Sequence, residues 1–568
     1  MSTAETTHQP VPSAIPAPPN FPVTWEIPED AGLFWTLNRM HTPDPITPMD
    51  ELFIGYVWQG VSTIAQIYDI PVRTRTRRIN TYMYVTILPA AAAEDGREAQ
   101  SKRSEAKLRA VFARIGDLWK LDLFPEVRQY LDDWQNFDLP GASMPALLAH
   151  FDETIDRHIR LWEIHFLAVL PKHIVVSMFD DLCRDLFGGK NSFEAYRLLR
   201  GFDNKTLEAD RALWSLSRAA LASPEACRVL EDTAASDVIA ALEESAGGRA
   251  FLEQLQAYLK EYGQLSEKPF QLYAPGWIEN PTPVIKNLKD YITQPDRDLE
   301  AELSALAVER EELVAQARQR LEGYPQPVVQ EFEFLLKAAQ EAAMVGEDHN
   351  FWIDFCAIYQ VRRVLLEFGR RFTEKGVVDQ ADDVLFLTPD ELRETATALP
   401  RIDRRRVVAG RRAEMDYFRT IQPPAALGTR PASPPPDSPL RRALGKFFGP
   451  PPAPPTEPDI LRGNAGSPGI ARGPAKVVRS LAEAAKLQPG DILVAETTSV
   501  PWTPLFATAS AIVTDAGGVL SHCAVVAREF GIPAVVGTGQ ATAVFRDGQF
   551  LEVNGDSGVV RVLPEDVS

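Results

Sequence analysis

The chain of 568 residues has only four cysteines, at 183, 227, 356 and 523, and none stand in a C-x-x-C spacing. That excludes a disulfide framework and a thiolate zinc site, and makes a reducing cytoplasm the expected setting. No apolar run reaches the length that spans a bilayer. No basic-then-apolar leader opens the chain, because Met1 to Phe21 is polar and rich in proline. Positive charge is in deficit, with 59 basic against 78 acidic side chains and a net charge of -19. Nucleic acid and anionic membrane are therefore excluded as main partners. A glycine-rich phosphate loop followed by strands is missing before residue 420, so that stretch is not expected to hold a nucleotide.

What is abundant is proline, and it marks the organisation. Thirteen prolines fall between Pro423 and Pro458, including Pro434-Pro435-Pro436 and Pro450-Pro451-Pro452. Such runs favour extended, solvated backbone, so 421–460 is expected to be a flexible linker. Its interlude Leu440–Phe448 reads as a helical turn or docking spot. Upstream, helical periodicity dominates. Leu299, Leu303, Leu306 and Leu313 share one face, and Ser104–Leu121, Met144–Leu170 and Phe351–Phe372 read as amphipathic helices. Ile79–Leu88 is the one strand candidate there. Downstream, short apolar runs alternate with glycine turns at Ala475–Val478, Asp491–Ala495, Ala511–Thr514, Ala534–Val536, Phe550–Val553 and Val559–Leu563. The expected layout is a disordered tail (1–22), a mainly α-helical domain (23–420), the linker (421–460) and a compact α/β domain (461–568).

The chemistry concentrates in Thr514-Asp515-Ala516-Gly517-Gly518-Val519-Leu520-Ser521-His522-Cys523-Ala524. Gly517 and Gly518 permit a tight turn and close approach of a ligand. Ser521 is a candidate N-cap. The helix that follows would set His522 at a positive dipole end, where unpaired backbone N–H groups suit a phosphoryl group. A neutral imidazole accepts and returns phosphoryl groups. On chemistry alone, a histidine that merely stabilises a helix end is the alternative, and it stays open.

The whole stretch Gly518–Gly537 resembles the swivelling phosphohistidine domain of the phosphoenolpyruvate-utilising enzymes. That family includes phosphoenolpyruvate synthase, pyruvate phosphate dikinase and rifampin phosphotransferase. The resemblance extends over Gly463–Val478, Gly490–Val494, Thr497–Phe506, Asp547-Gly548 and Asn554–Gly558, and so covers 461–568. It implies that His522 is the phosphorylated residue, with Gly517, Gly518, Ser521, Thr514, Arg528, Thr498 and Thr503 supporting the phosphate. Cys523 reads as a small apolar filler.

The upstream block is similar to the acceptor-binding part of rifampin phosphotransferase-like proteins. The likeness rests on Trp25-Glu26, Phe34-Trp35, Asn38-Arg39, Pro275–Pro281, Glu347–Trp352 and Gly369–Leu392. It implies an acceptor pocket, for which His349, Glu347, Arg362, His165, Trp352 and Trp277 are the candidates, with His158 a further candidate base. No metal is expected among these residues, and no cofactor on this chain. The organisation is similar to phenylphosphate synthase, in which subunits divide the work. That implies a split dikinase. A separate ATP-grasp subunit holding ATP and Mg²⁺ would load His522, which would pass the phosphoryl group to a small organic, phenol-like hydroxyl. A rifamycin-type antibiotic phosphotransferase half and a non-catalytic phosphocarrier are the alternatives.

Overall fold

The computed structural model describes residues 13–90, 96–188, 194–432, 438–449 and 459–564. Two sheets accompany a large helical body. The N-terminal sheet is antiparallel and has the order β1-β5-β2-β4-β3, from β1 (Ser13–Ala14), β2 (Phe34–Leu37), β3 (Val72–Ile79), β4 (Tyr82–Pro89) and β5 (Ala426–Arg430). Asn80 and Thr81, both with positive φ, turn the chain between β3 and β4. The strand expected over Ile79–Leu88 is thus the second arm of a hairpin.

Two expectations about irregular chain give way here. The presumed tail is built in from Ser13, since β1 pairs with β5 and Phe21 is fully buried against Tyr82, Tyr84 and Phe418. Residues 1–12 lie outside the described residues. The presumed linker is likewise partly structured, because it supplies β5 and a capped helix, Pro439–Phe448. Ser438 accepts from Arg441 N–H, Pro439 occupies the first turn, and Leu440 and Ala443 are buried. Its remaining proline runs, 433–437 and 450–458, lie outside the described residues.

The helical body is organised around α1 (Pro48–Ile67), α2 (Met144–Phe187), α3 (Gln326–His349), α4 (Ile358–Glu374) and α5 (Pro439–Phe448). α1 starts at a capping box between Thr47 and Asp50. α3 runs into α4 through a π-helical stretch, Asn350–Ala357. α2 is 44 residues long and passes straight through Pro171, where the sequence signals an end. Proline removes the N–H that would bond to the carbonyl of Leu167, and the Tyr68 hydroxyl donates to that carbonyl instead, at 2.8 Å.

The C-terminal sheet runs β6-β13-β12-β8-β9-β10-β11-β7. Its strands are β6 (Ile460–Arg462), β7 (Asn464–Ser467), β8 (Ile470–Val477), β9 (Ile492–Ala495), β10 (Ala511–Thr514), β11 (Ala534–Val536), β12 (Phe550–Asn554) and β13 (Val559–Val562). β8 to β11 are parallel, and the flanking pairs antiparallel. α6 (His522–Glu529) follows β10 and packs one sheet face through Cys523, Ala524, Val526 and Ala527. The chain is therefore multidomain, with a large mainly helical N-terminal part and a C-terminal α/β domain. Among the described residues no helix is long and apolar enough to cross a membrane.

Candidate functional site

The turn before His522 is fixed by hydrogen bonds from both domains. Gly517 has a φ of 116°, open to glycine at little cost, and its carbonyl accepts from Asn464 Nδ2 at 3.1 Å. Gly518 N–H donates to Phe447 O at 2.8 Å, and Leu520 N–H to Lys446 O at 2.9 Å. The last turn of α5 thus holds the histidine turn against the helical body. Lys446 in turn donates to Ser177 O and pairs with Asp180 and Asp181 on α2. Further ties join the domains. Arg39 bonds Gly539 O and pairs with Glu496, the Glu267 carboxylate accepts from Leu481 N–H, and Arg200 donates to Arg528 O.

This docking encloses a cavity of about 290 Å³ between the domains. His522, Ser521 and Thr498 form part of one wall; Trp58, Trp162, Phe166 and Phe270 line the helical side, and Phe447 and Phe448 come from α5. His522 sits at the start of α6, where its Nδ1 lies 3.5 Å from Thr498 Oγ1. Its Nε2 is shielded from solvent and has no hydrogen-bond partner. Burial, aided by Lys172, lowers the His522 pKa to about 4, so the ring is neutral at physiological pH. With the proton on Nδ1, toward Thr498, the Nε2 lone pair is free to act as a nucleophile.

Deeper in the cavity lies a buried polar group. His165 Nδ1 is 2.9 Å from Asp354 Oδ1, and the His165 and His349 rings meet edge to face with centroids 4.6 Å apart. His349 Nδ1 donates to Val345 O at 2.9 Å. Burial pushes both imidazoles down to about 3 and the Asp354 carboxyl up to about 7. Lys172 is lowered by burial, which the charges of Glu347 and Asp354 oppose. Glu347 is raised by burial, opposed by Lys172, and accepts from Thr206 Oγ1.

Of the residues proposed from sequence, His522, Ser521, Thr498, His165, His349 and Glu347 meet in this cavity. Ser521 occupies the N-cap position without a capping bond, and its Oγ has no partner. The others lie elsewhere, each for a physical reason. Thr514 bonds Ala516 O and shapes the glycine turn. Thr503 is buried at the start of the short helix Thr503–Phe506, with an unpartnered Oγ1. Arg528 donates to Gly466 O at 2.7 Å and lies over Tyr196, so its guanidinium is committed away from His522. Arg362 braces Glu279, Asp382 and Leu272 O. Trp277 is core, and Trp352 packs against Phe124, Phe351 and Arg128. His158 is buried against Phe53, with Nε2 3.1 Å from its carbonyl.

Sequence reasoning missed Lys172, His41, His173, Asp354 and Glu496, all in the cavity lining. For Lys172, His173 and Asp354 the signal is a polar side chain within an apolar helical run; His41 lies in a turn and Glu496 in a bend, and neither carries such a signal. The absence of a metal from the expected site now stands beside a cluster of two histidines and an aspartate.

The comparisons with known proteins fall on both domains. Residues 165–347 match the model of the rifampicin phosphotransferase fourth domain. Residues 487–558 match that of the mobile domain of PEP-utilising enzymes. The chondramide synthase of Chondromyces crocatus is 42% identical over 97% of this chain, which covers 14% of that protein. A phosphotransferase of Bacillus subtilis is 33% identical over 78% of the chain and 53% of its own length. A rifampicin phosphotransferase of a Streptomyces species is 29% identical over 75% of the chain and 48% of its own length. The chain thus spans about half the length of these two phosphotransferases and a small part of the synthase. It carries, around His522, a match to the mobile domain of phosphoenolpyruvate-utilising enzymes and, upstream, a match to the fourth domain of rifampicin phosphotransferase.

Proposed function

We propose that the chain is a phosphotransferase in which His522 carries a phosphoryl group to the hydroxyl of a small, largely apolar organic acceptor. The observation that carries this reading is the unpartnered Nε2 of His522 in the wall of a cavity lined by Trp58, Trp162, Phe166 and Phe270. Apolar lining with a few convergent polar groups is the usual form of a small-molecule site. In the transfer, the Nε2–P bond breaks and an O–P bond forms. The imidazole recovers its lone pair, and the hydroxyl proton passes to a cavity base. Such transfer depends on positioning and charge neutralisation, and the cavity offers Lys172 and Lys268 for the latter.

We assign the loading of His522 to a separate ATP-grasp subunit holding ATP and Mg²⁺. To be loaded, His522 must leave the cavity, which is closed by the docking of the two domains. The aromatic lining favours a phenol-like acceptor. A second reading, phosphorylation of a rifamycin-type antibiotic, draws on the 29% identity to a rifampicin phosphotransferase.

The test is incubation with the candidate nucleotide-binding subunit and β-labelled ATP, followed by peptide mapping. Acid-labile label is expected at His522 and absent from His522→Ala. A competent partner that leaves His522 unlabelled would defeat the reading.

A further inference from the structure

Outside the histidine turn, the cavity holds one arrangement that acceptor binding does not account for. Among the described residues, His165, His349 and Asp354 form the group whose donor atoms all lie within 4.8 Å of one another, and all three residues are buried. Three elements converge to build it: the middle of α2, the last residue of α3 and the π-helical stretch that follows. Residues five apart in a regular α-helix point about 140° away from each other. The i→i+5 bonding of the π-helical stretch stacks them instead, and so brings Asp354 round to the side of His349. The helix is distorted where these two side chains must meet.

The donors are oriented as well as gathered. His349 commits Nδ1–H to Val345 O, which fixes the ring and leaves the Nε2 lone pair as its only donor. A backbone carbonyl on the far nitrogen is the usual outer partner of a metal-bound histidine. His165 is held against the Asp354 carboxyl at 2.9 Å.

We propose that His165, His349 and Asp354 bind a divalent first-row transition ion of the zinc class on the wall of the acceptor cavity. Two imidazoles and one carboxylate are borderline donors suited to such ions, and three protein ligands leave a position open. The nearby Lys172 ammonium feels the charges of both Glu347 and Asp354. Binding an acceptor hydroxyl to this ion would lower the hydroxyl's pKa and neutralise charge beside the transferring phosphoryl group. That role, unlike binding itself, rests on the phosphotransfer reading.

The experiment uses the untagged full chain, stripped with a chelator and titrated with Co²⁺ alone, without phosphoryl donor or acceptor. The expected result is one saturable site with ligand-field absorption, displaced by Zn²⁺. It should weaken on the order of 100-fold in His349→Ala and in Asp354→Asn, and persist in His522→Ala. A wild-type chain with no saturable site overturns the proposal by itself, even where a variant misfolds, and leaves Lys172 as the cation that Asp354 faces. Folded His349→Ala and Asp354→Asn variants that bind as wild type overturn it equally. Intact Co²⁺ binding in a chain that never transfers phosphate would count against the proposed function and leave this site standing.

Discussion

Gly518 donates its backbone N–H to the carbonyl of Phe447 at 2.8 Å, and so fastens the turn ahead of His522 to the helix inside the proline-rich segment. The approach is possible because Gly518 has no side chain. A methyl group there would lie 2.2 Å from Lys446 O and 2.6 Å from Gly449 N, both backbone atoms that cannot swing aside. Gly518→Ala is therefore expected to undock the mobile domain without unfolding it. Phosphoryl transfer should fall by about tenfold or more, equivalent to roughly 1.4 kcal/mol, while loading of His522 by its donor is unimpaired. Amide exchange across α5 should accelerate. Native protection of α5 together with unchanged transfer would show that the latch does not govern access.

The same docking should be visible in the titration of His522. Burial, then Lys172, lowers its pKa from 6.5 to about 4. Because the docked value lies below the free one, the stability it contributes is complete above about 6.5 and is lost as the pH falls toward 4. Glu496 and Glu529, both raised to about 7 by burial, slope the other way, since docking favours their protonated forms. The overall docking equilibrium mixes these signs, so the His522 ring itself is the clean readout. Its NMR titration should centre near 4 in the wild type and near 6.5 in Gly518→Ala. A midpoint near 6.5 in both would mean that the ring is not buried in solution.

Much of this was legible in the sequence, and the failures have physical causes. All six strand regions expected downstream of residue 461 correspond to β8–β13, because apolar runs between glycine turns leave little choice. β7 escaped notice because Asn464–Ser467 has no apolar pattern and gains its place by pairing with β11. α5 was visible only as an interlude, since proline counts report on the average of a segment and not on a capped turn within it. The cavity is assembled from residues far apart in the chain, so composition could suggest His165 and His349 but not their meeting with Asp354.

α2 failed to end at Pro171 because its orphaned carbonyl found a partner on Tyr68, the residue that caps the C-terminus of α1. Tyr68→Phe keeps the ring in place but leaves the part-buried Leu167 carbonyl without its donor. Loss of a hydrogen bond that leaves a buried group unsatisfied costs about 1–3 kcal/mol. The effect should appear as a lowered denaturation midpoint with an unchanged denaturant slope. His165, Lys172 and His173 lie on the same stretch of α2, so transfer activity should fall as well. A midpoint identical to wild type would mean that water satisfies the carbonyl as well as Tyr68 does.

Phe270 offers the sharpest test of what the cavity holds. Its ring lies edge-on to His41 at 5.0 Å and against Trp162 at 5.6 Å, and it contributes to the cavity wall. It makes no contact with the Gly517–His522 turn in the ring pairs seen there, so His522 loading should be indifferent to it. Phe270→Ala removes apolar contact for the acceptor, and burying such a side chain against a ligand is worth roughly 1.5–3 kcal/mol. For a phenol-like acceptor that supports turnover, KM should rise by about tenfold or more with a smaller change in kcat, the pattern of lost binding common to ground and transition states. A carrier that delivers phosphate to another protein would not use this wall. Unaltered acceptor kinetics in a folded Phe270→Ala chain would therefore move the acceptor out of the cavity, whatever happens at His522.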